Sequence, residues 1–204
     1  MTLTIRRIFF AVGLAVLGDG WTMRADRARA GCPDHPTGDN PRYERSVGTY
    51  DVPDVTLVNQ RGEQVALRSI LTPKTPIALN FVFTTCRTVC PVMTATFARM
   101  RSELGDDGEG LRMISISIDP DHDTPGVLDE YAQRFGGGAE WQFLTGESAS
   151  VLRVLKAFDA YAGAKTNHQP LTYLHGSGRA DWVRIKGFPS AAELANEYRR
   201  LRTE

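Results

Sequence analysis

The stretch FVFTTCRTVCPVMT, Phe81 to Thr94, places Cys86 and Cys90 with three residues between them, directly behind an apolar run and ahead of Pro91. If a helix begins near Cys90 and Pro91, the two sulfurs sit about one helical turn apart and face the same side. The free amides at such a helix start favour negative charge and lower thiol pKa values. Two readily formed thiolates within reach of each other close into a disulfide or hold a soft metal, and the spacing does not choose between these. The plainer reading, two small residues packed at a strand end, fits poorly in a chain with only three cysteines. Structural zinc usually wants four protein ligands, and only Cys32 and four histidines are left to complete a set. Copper(I) is soft and accepts two thiolates and one imidazole. The question becomes which histidine would be the third ligand.

His35 lies in a proline- and charge-rich stretch three residues after Cys32 and reads as a solvated linker residue. His122 falls in DPDHDTP, a polar loop, and His175 in LHGSG, a hairpin turn, so both are expected at the surface. His168, in KTNHQPLTYL, directly precedes a predicted strand. The loop entering that strand is expected beside the start of the cysteine helix, which makes His168 the best candidate.

The elements that must position these residues are legible along the chain. YDVPDVTLV and VALRSIL flank NQRGEQ, a turn signal with Gly62, and predict a β-hairpin. IALNFVF (77–83) is a short continuous apolar run, as expected of a strand buried on both faces. Val92, Met93, Phe97, Met100 and Leu104 recur at helical spacing and predict a helix from about Pro91 to Leu104. LRMISISI is the next strand, and DTPGVLDEYAQRF starts a helix with a cap-like Asp123 or Thr124 and Pro125 in its first turn. WQFL is a short strand, SASVLRVLKAF a helix, LTYLHGSGRADWVRI a hairpin and SAAELANEYRRL a closing helix. This order predicts an α/β, thioredoxin-like domain: a central mixed sheet with helices on both faces and an N-terminal β-hairpin extension.

Ahead of that domain, MTLTIRRIFFAVGLAVLG sets Arg6 and Arg7 before an apolar run from Ile8 to Leu17, the layout of an export signal. The run is well short of the roughly 20 residues that span a bilayer. Residues 1–30 are therefore expected to be a leader or N-terminal anchor, 31–48 a linker and 49–204 the domain. ARAG (28–31) has the small-x-small form of a cleavage site, while Arg29 stands where lipid attachment at Cys32 would want an aliphatic residue. Export would carry the cysteines into an oxidising compartment, the periplasm. Lysine plus arginine equals aspartate plus glutamate at 24 each, and no basic block is present, so nothing points to nucleic acid.

FVFTTCRTVCPVM, then SISIDPDHDTPGVLDEYAQRF, then NHQPLTYL, resembles the Sco/SenC family, whose members carry CxxxCP, a DPxxDTPxxLxxYxxxF segment and a downstream histidine. The likeness runs from about Val52 to the closing helix. It implies a thioredoxin-like fold, export with or without a membrane tether, and a copper ion, Cu(I) or Cu(II), bound by Cys86, Cys90 and His168. It further implies that the partner is a copper-receiving cuproprotein, a cytochrome c oxidase subunit. Asp119 matches the family's acidic residue and would tune the site without binding the metal. Two positions depart from the pattern: Asn167 stands where Asp commonly precedes the histidine, and His175 replaces an acidic residue in YLHGSG.

A different class of function uses the same cysteines. As a thiol-disulfide reductase, Cys86 would attack a partner disulfide and Cys90 would resolve the mixed disulfide. Pro170 bears on this, since a cis proline facing the thiols would bring a carbonyl toward them, whereas a trans proline simply marks a strand start. A peroxidase, for which the neighbouring Arg87 is the one suggestive feature, fits the paired cysteines less well.

Overall fold

The computed structural model describes residues 42–138 and 140–203. The expected leader, Cys32, His35 and most of the expected linker lie outside the described residues. The elements run β1 (Tyr43–Gly48), β2 (Thr56–Asn59), β3 (Gln64–Ala66), α1 (Leu67–Ile70), β4 (Ile77–Val82), α2 (Val89–Leu104), β5 (Arg112–Ser117), α3 (Pro125–Arg134), β6 (Trp141–Thr145), α4 (Ser148–Ala157), β7 (Leu171–His175), β8 (Trp182–Gly187) and α5 (Ala191–Thr203). The eight strands form one mixed sheet in the order β1-β8-β7-β4-β5-β6-β2-β3.

Every residue of β4 is buried, because helices cover both sides of it. Successive side chains point to opposite faces. Ile77, Leu79 and Phe81 join the core beneath α1 and α4, with Leu67, Ile70, Val154 and Phe158. Ala78 joins the other core, where α2, α3 and α5 contribute Phe97, Met100, Leu128, Tyr131 and Tyr198. The expected α/β architecture is the observed one.

β4 pairs parallel with β5, and β5 with β6, while β7 runs antiparallel to β4 with Asn80 opposite Thr172. The loop entering β7 therefore arrives at the carboxyl end of β4, where the chain turns into α2. That strand order is what brings residue 168 toward residues 86 and 90.

Two expectations need correction. The stretch expected to be linker up to residue 48 ends in a strand: Tyr43–Gly48 pairs antiparallel with β8 along its whole length. Its central residues are exposed, so no apolar alternation announces it. It is held instead by main-chain pairing and by Arg45 and Tyr43, which donate to the buried Glu197 of α5 at 2.9 Å each. Gly187 (φ 124) permits the close approach of this edge, since a Cβ there would lie 2.6 Å from the Arg42 carbonyl oxygen. The predicted hairpin exists as β2 and β3, turning at Gly62 (φ 81), and adds to the sheet through β6. Its second arm is short, because LRSI coils into α1 to bury Leu67 and Ile70.

Candidate metal centre

After β4 the chain turns tightly, with the Cys86 amide donating to the Phe83 carbonyl at 3.1 Å. α2 follows with Thr88 at its N-cap, yet the Thr88 hydroxyl makes no capping bond and the first turn carries no acidic residue. One orphan amide of the helix start is taken by sulfur instead: Cys90 N–H donates to Cys86 Sγ at 3.4 Å. Both thiols are free, Cys86 partly exposed and Cys90 buried.

Their environments set them apart. Burial pushes the Cys86 thiol up, but hydrogen bonds from the backbones and side chains of Cys90 and Thr88 outweigh it and bring the thiol below its ordinary value. For Cys90 burial dominates and, with the nearby Cys86 and Asp123, pushes the thiol up to about 12. The expectation of two low-pKa thiols thus holds for Cys86 and fails for Cys90, which sits behind the helix start in the core.

A short 3-10 turn, Lys165–Asn167, delivers His168 to the same place. Cys86, Cys90 and His168 line one cavity of about 260 Å³, together with Phe83, Arg87 and Lys165. His168 Nε2 lies 3.2 Å from the Phe81 carbonyl oxygen. A carbonyl only accepts, so this bond puts the proton on Nε2 and leaves the lone pair on Nδ1. Burial, partly opposed by that bond, lowers the His168 pKa and keeps the ring neutral. Two thiols and a neutral imidazole around one cavity are a donor set suited to a soft, low-coordinate ion such as copper(I). As they stand they do not converge on a point, and among the described residues no three such donors are grouped closely enough to hold a metal.

Asp119 is not beside the thiols. It pairs with Lys165 Nζ at 2.5 Å and lines a neighbouring cavity that shares Lys165 and His168 with the first. Its contact toward the site is with Lys165, on the turn that carries His168. The carboxylate beneath the cysteine loop is Asp123, fully buried. It accepts from Thr84 Oγ1 at 2.5 Å, from the Thr84 amide at 3.2 Å and from Ser117 Oγ at 2.6 Å. The cap of α3 is Thr124, leaving Asp123 to brace the loop two residues before Cys86. A second brace joins Thr94 Oγ1 to the Cys90 carbonyl at 2.8 Å and to Tyr131 Oη at 3.0 Å. Sequence reading missed Thr84, Thr94 and Tyr131, whose roles depend on contacts between distant segments. For Asp123 the signal was the choice of cap, since Thr124 was the alternative.

His122 is exposed as expected. His175 is not: it ends β7 only 3% exposed, packed on Trp182. No cis peptide bond occurs among the described residues, so Gln169–Pro170 is trans and the thioredoxin-like proline argument for disulfide exchange falls away.

Comparison with known proteins gives one answer. The family model described as SCO1/SenC matches residues 48–181. A SCO1 protein homolog of Bacillus subtilis (strain 168) is 37% identical over 115 residues, 54% of this chain and 58% of its own length. The match spans little more than half the length of the curated relatives. The solved structure of BsSco, a Sco-family cytochrome c oxidase assembly protein with a disulfide switch, is 27% identical, with a TM-score of 0.64 over 78% of this chain and 96% of that one. Bradyrhizobium japonicum ScoI with copper bound is 25% identical, with a TM-score of 0.59 over 76% and 98% of the two chains.

Proposed function

The chain belongs to the SCO1/SenC family, and from that premise we propose that it is an exported copper-binding accessory protein that serves assembly of the copper centre of cytochrome c oxidase. The observation that carries this reading is the shared cavity of Cys86, Cys90 and His168. In it the Cys86 sulfur is exposed enough to meet incoming cargo, and His168 presents a neutral imidazole. Copper bound to a relative of the same fold supports the choice of metal. The partner is then a cuproprotein, reached from the periplasmic side of a membrane, with the protein either free or tethered through its N-terminus. Among the described residues no helix is long and apolar enough to cross a membrane.

One observation favours a second reading, a thiol-disulfide reductase acting on a partner's copper-ligand cysteines. The lowered, accessible Cys86 beside a raised, buried Cys90 is the division of labour between an attacking and a resolving thiol.

The test is an anaerobic copper(I) titration of the reduced full chain against a competing chelator, in a Cys32→Ser background so that two thiols remain. His168→Ala is expected to weaken binding by about 100-fold, the upper end of what removing even an outer partner of a metal site costs. Affinity indifferent to His168 would remove the three-ligand site and leave the cysteine pair as a redox couple.

A further inference from the structure

The cavity over the thiols is one-sided in charge. Its lining includes two cations, Arg87 and Lys165, three threonines and no carboxylate. Arg87 lies between the two cysteines, exposed, and among the described residues no ion pair takes it up. Lys165 is fixed at the rim, held by Asp119 at 2.5 Å and standing over the Phe83 ring at 5.9 Å from its centroid, with 45% of its side chain still exposed. Asp119, paired with Lys165, and Asp121 line the neighbouring cavity rather than this one. A partner approaching the partly exposed Cys86 therefore meets, in Arg87, a cation that no carboxylate among the described residues offsets.

We infer that this face docks a cysteine-bearing protein segment flanked by carboxylates, with Arg87 as the principal determinant. The inference rests on Cys86 being the thiol that meets the partner, as proposed above, and adds the chemical character of that partner. Charge of this kind acts mainly on the rate of encounter and is lost on screening. It also separates partners, because a lysine-flanked cysteine would be repelled from the same rim.

Two synthetic hexapeptides test it, each with one cysteine held as a mixed disulfide with thionitrobenzoate and flanked by aspartates in one and lysines in the other. Cys86 thiolate attacks the peptide's sulfur and expels the coloured thionitrobenzoate. Cys90 then attacks Cys86 sulfur and releases the peptide thiol. Two electrons pass from the dithiol to the probe, leaving a Cys86–Cys90 disulfide. With the reduced full chain in the Cys32→Ser background, the acidic peptide is expected to react about tenfold faster than the basic one at low ionic strength. The ratio should approach one near 1 M salt, where the screening length is about 3 Å. Arg87→Glu should invert the ratio and Arg87→Gln bring it close to one. Any change that substitution at residue 87 makes in the thiolate fraction of Cys86 multiplies both rates equally and cancels in the ratio. A wild-type ratio of one at low salt, or a ratio unmoved by both variants, would overturn the inference. Copper(I) titration of the same samples separates the levels: tight binding with no charge preference leaves the copper reading standing, whereas no copper binding and no colour from either probe removes both.

Discussion

A histidine stands at each end of β7, His168 three residues ahead of the strand and His175 as its last residue, and the two ends are built to opposite plans. At the entry, His168 follows a turn of exposed polar residues, stands T-shaped to the Phe81 ring with centroids 6.5 Å apart, makes one bond to the Phe81 carbonyl and borders an open cavity. At the exit, His175 lies with its ring 4.7 Å from Trp182 and its Nε2 2.9 Å from the Arg179 carbonyl. The hairpin beyond is fastened to the loop before β4, Gly178 N–H donating to the Pro73 carbonyl and Ser177 Oγ to that of Lys74. The same imidazole is thus a reachable donor at one end and packing material at the other. The difference comes from strand direction, because the carboxyl ends of β4 and β5 leave a crevice where a helix begins, as is general in open α/β sheets.

The largest test of this contrast is Trp182→Ala. Trp182 is 4% exposed and packs on Phe158 as well as His175. Its truncation should cost about 3–5 kcal/mol of stability, read by urea unfolding, while copper(I) affinity of the still-folded protein stays at the wild-type value. His168→Ala should do the reverse. A common loss of copper binding in both variants would break the comparison, since the closed end would then be shaping the open one.

That contrast also marks what the sequence could tell. β4, α2, β5, α3 and α5 were legible because each has a long apolar run, a helical period or a cap, and their order placed residue 168 beside the cysteines. β1 was illegible: its YERSVG has no buried face, and main-chain pairing to β8 is what makes it a strand. His175 was misread because a histidine beside GSG looks like a turn residue, and only the sheet register, which sets it opposite both Ile77 and Trp182, shows that it is inside. Cys90 was misjudged for a related reason. A helix start favours a thiolate by its dipole, but how deeply that start is sunk into the core depends on segments far away in the chain.

A smaller effect sharpens the open end. Thr84→Val keeps the shape of the side chain and removes the hydroxyl that donates to the buried Asp123. Losing that bond should cost about 1–3 kcal/mol. Because Thr84 stands two residues before Cys86, its loss should also change the alkylation rate of Cys86 with iodoacetamide, whereas Trp182→Ala should leave that rate alone. Equal alkylation rates in Thr84→Val and wild type would mean that the brace supports the fold without setting the thiol.

The smallest effect lies in the dependence of stability on pH. Burial, opposed in part by the backbones of Arg179 and Thr75, lowers the His175 pKa in the folded protein. The unfolded chain has an ordinary histidine value of about 6.5. Above that value the ring is neutral in both states and contributes no pH dependence. As pH falls below it, the unfolded chain takes up the proton first, so stability declines until the folded-state value is reached. His175→Gln should therefore flatten the fall of the thermal midpoint between pH 7 and pH 5, compared with wild type. His168 is lowered for the same reason, burial, and its removal should flatten the same limb. If His168→Ala accounts for all of the flattening and His175→Gln for none, the exit of β7 admits a proton freely, and the closed plan assigned to it is wrong.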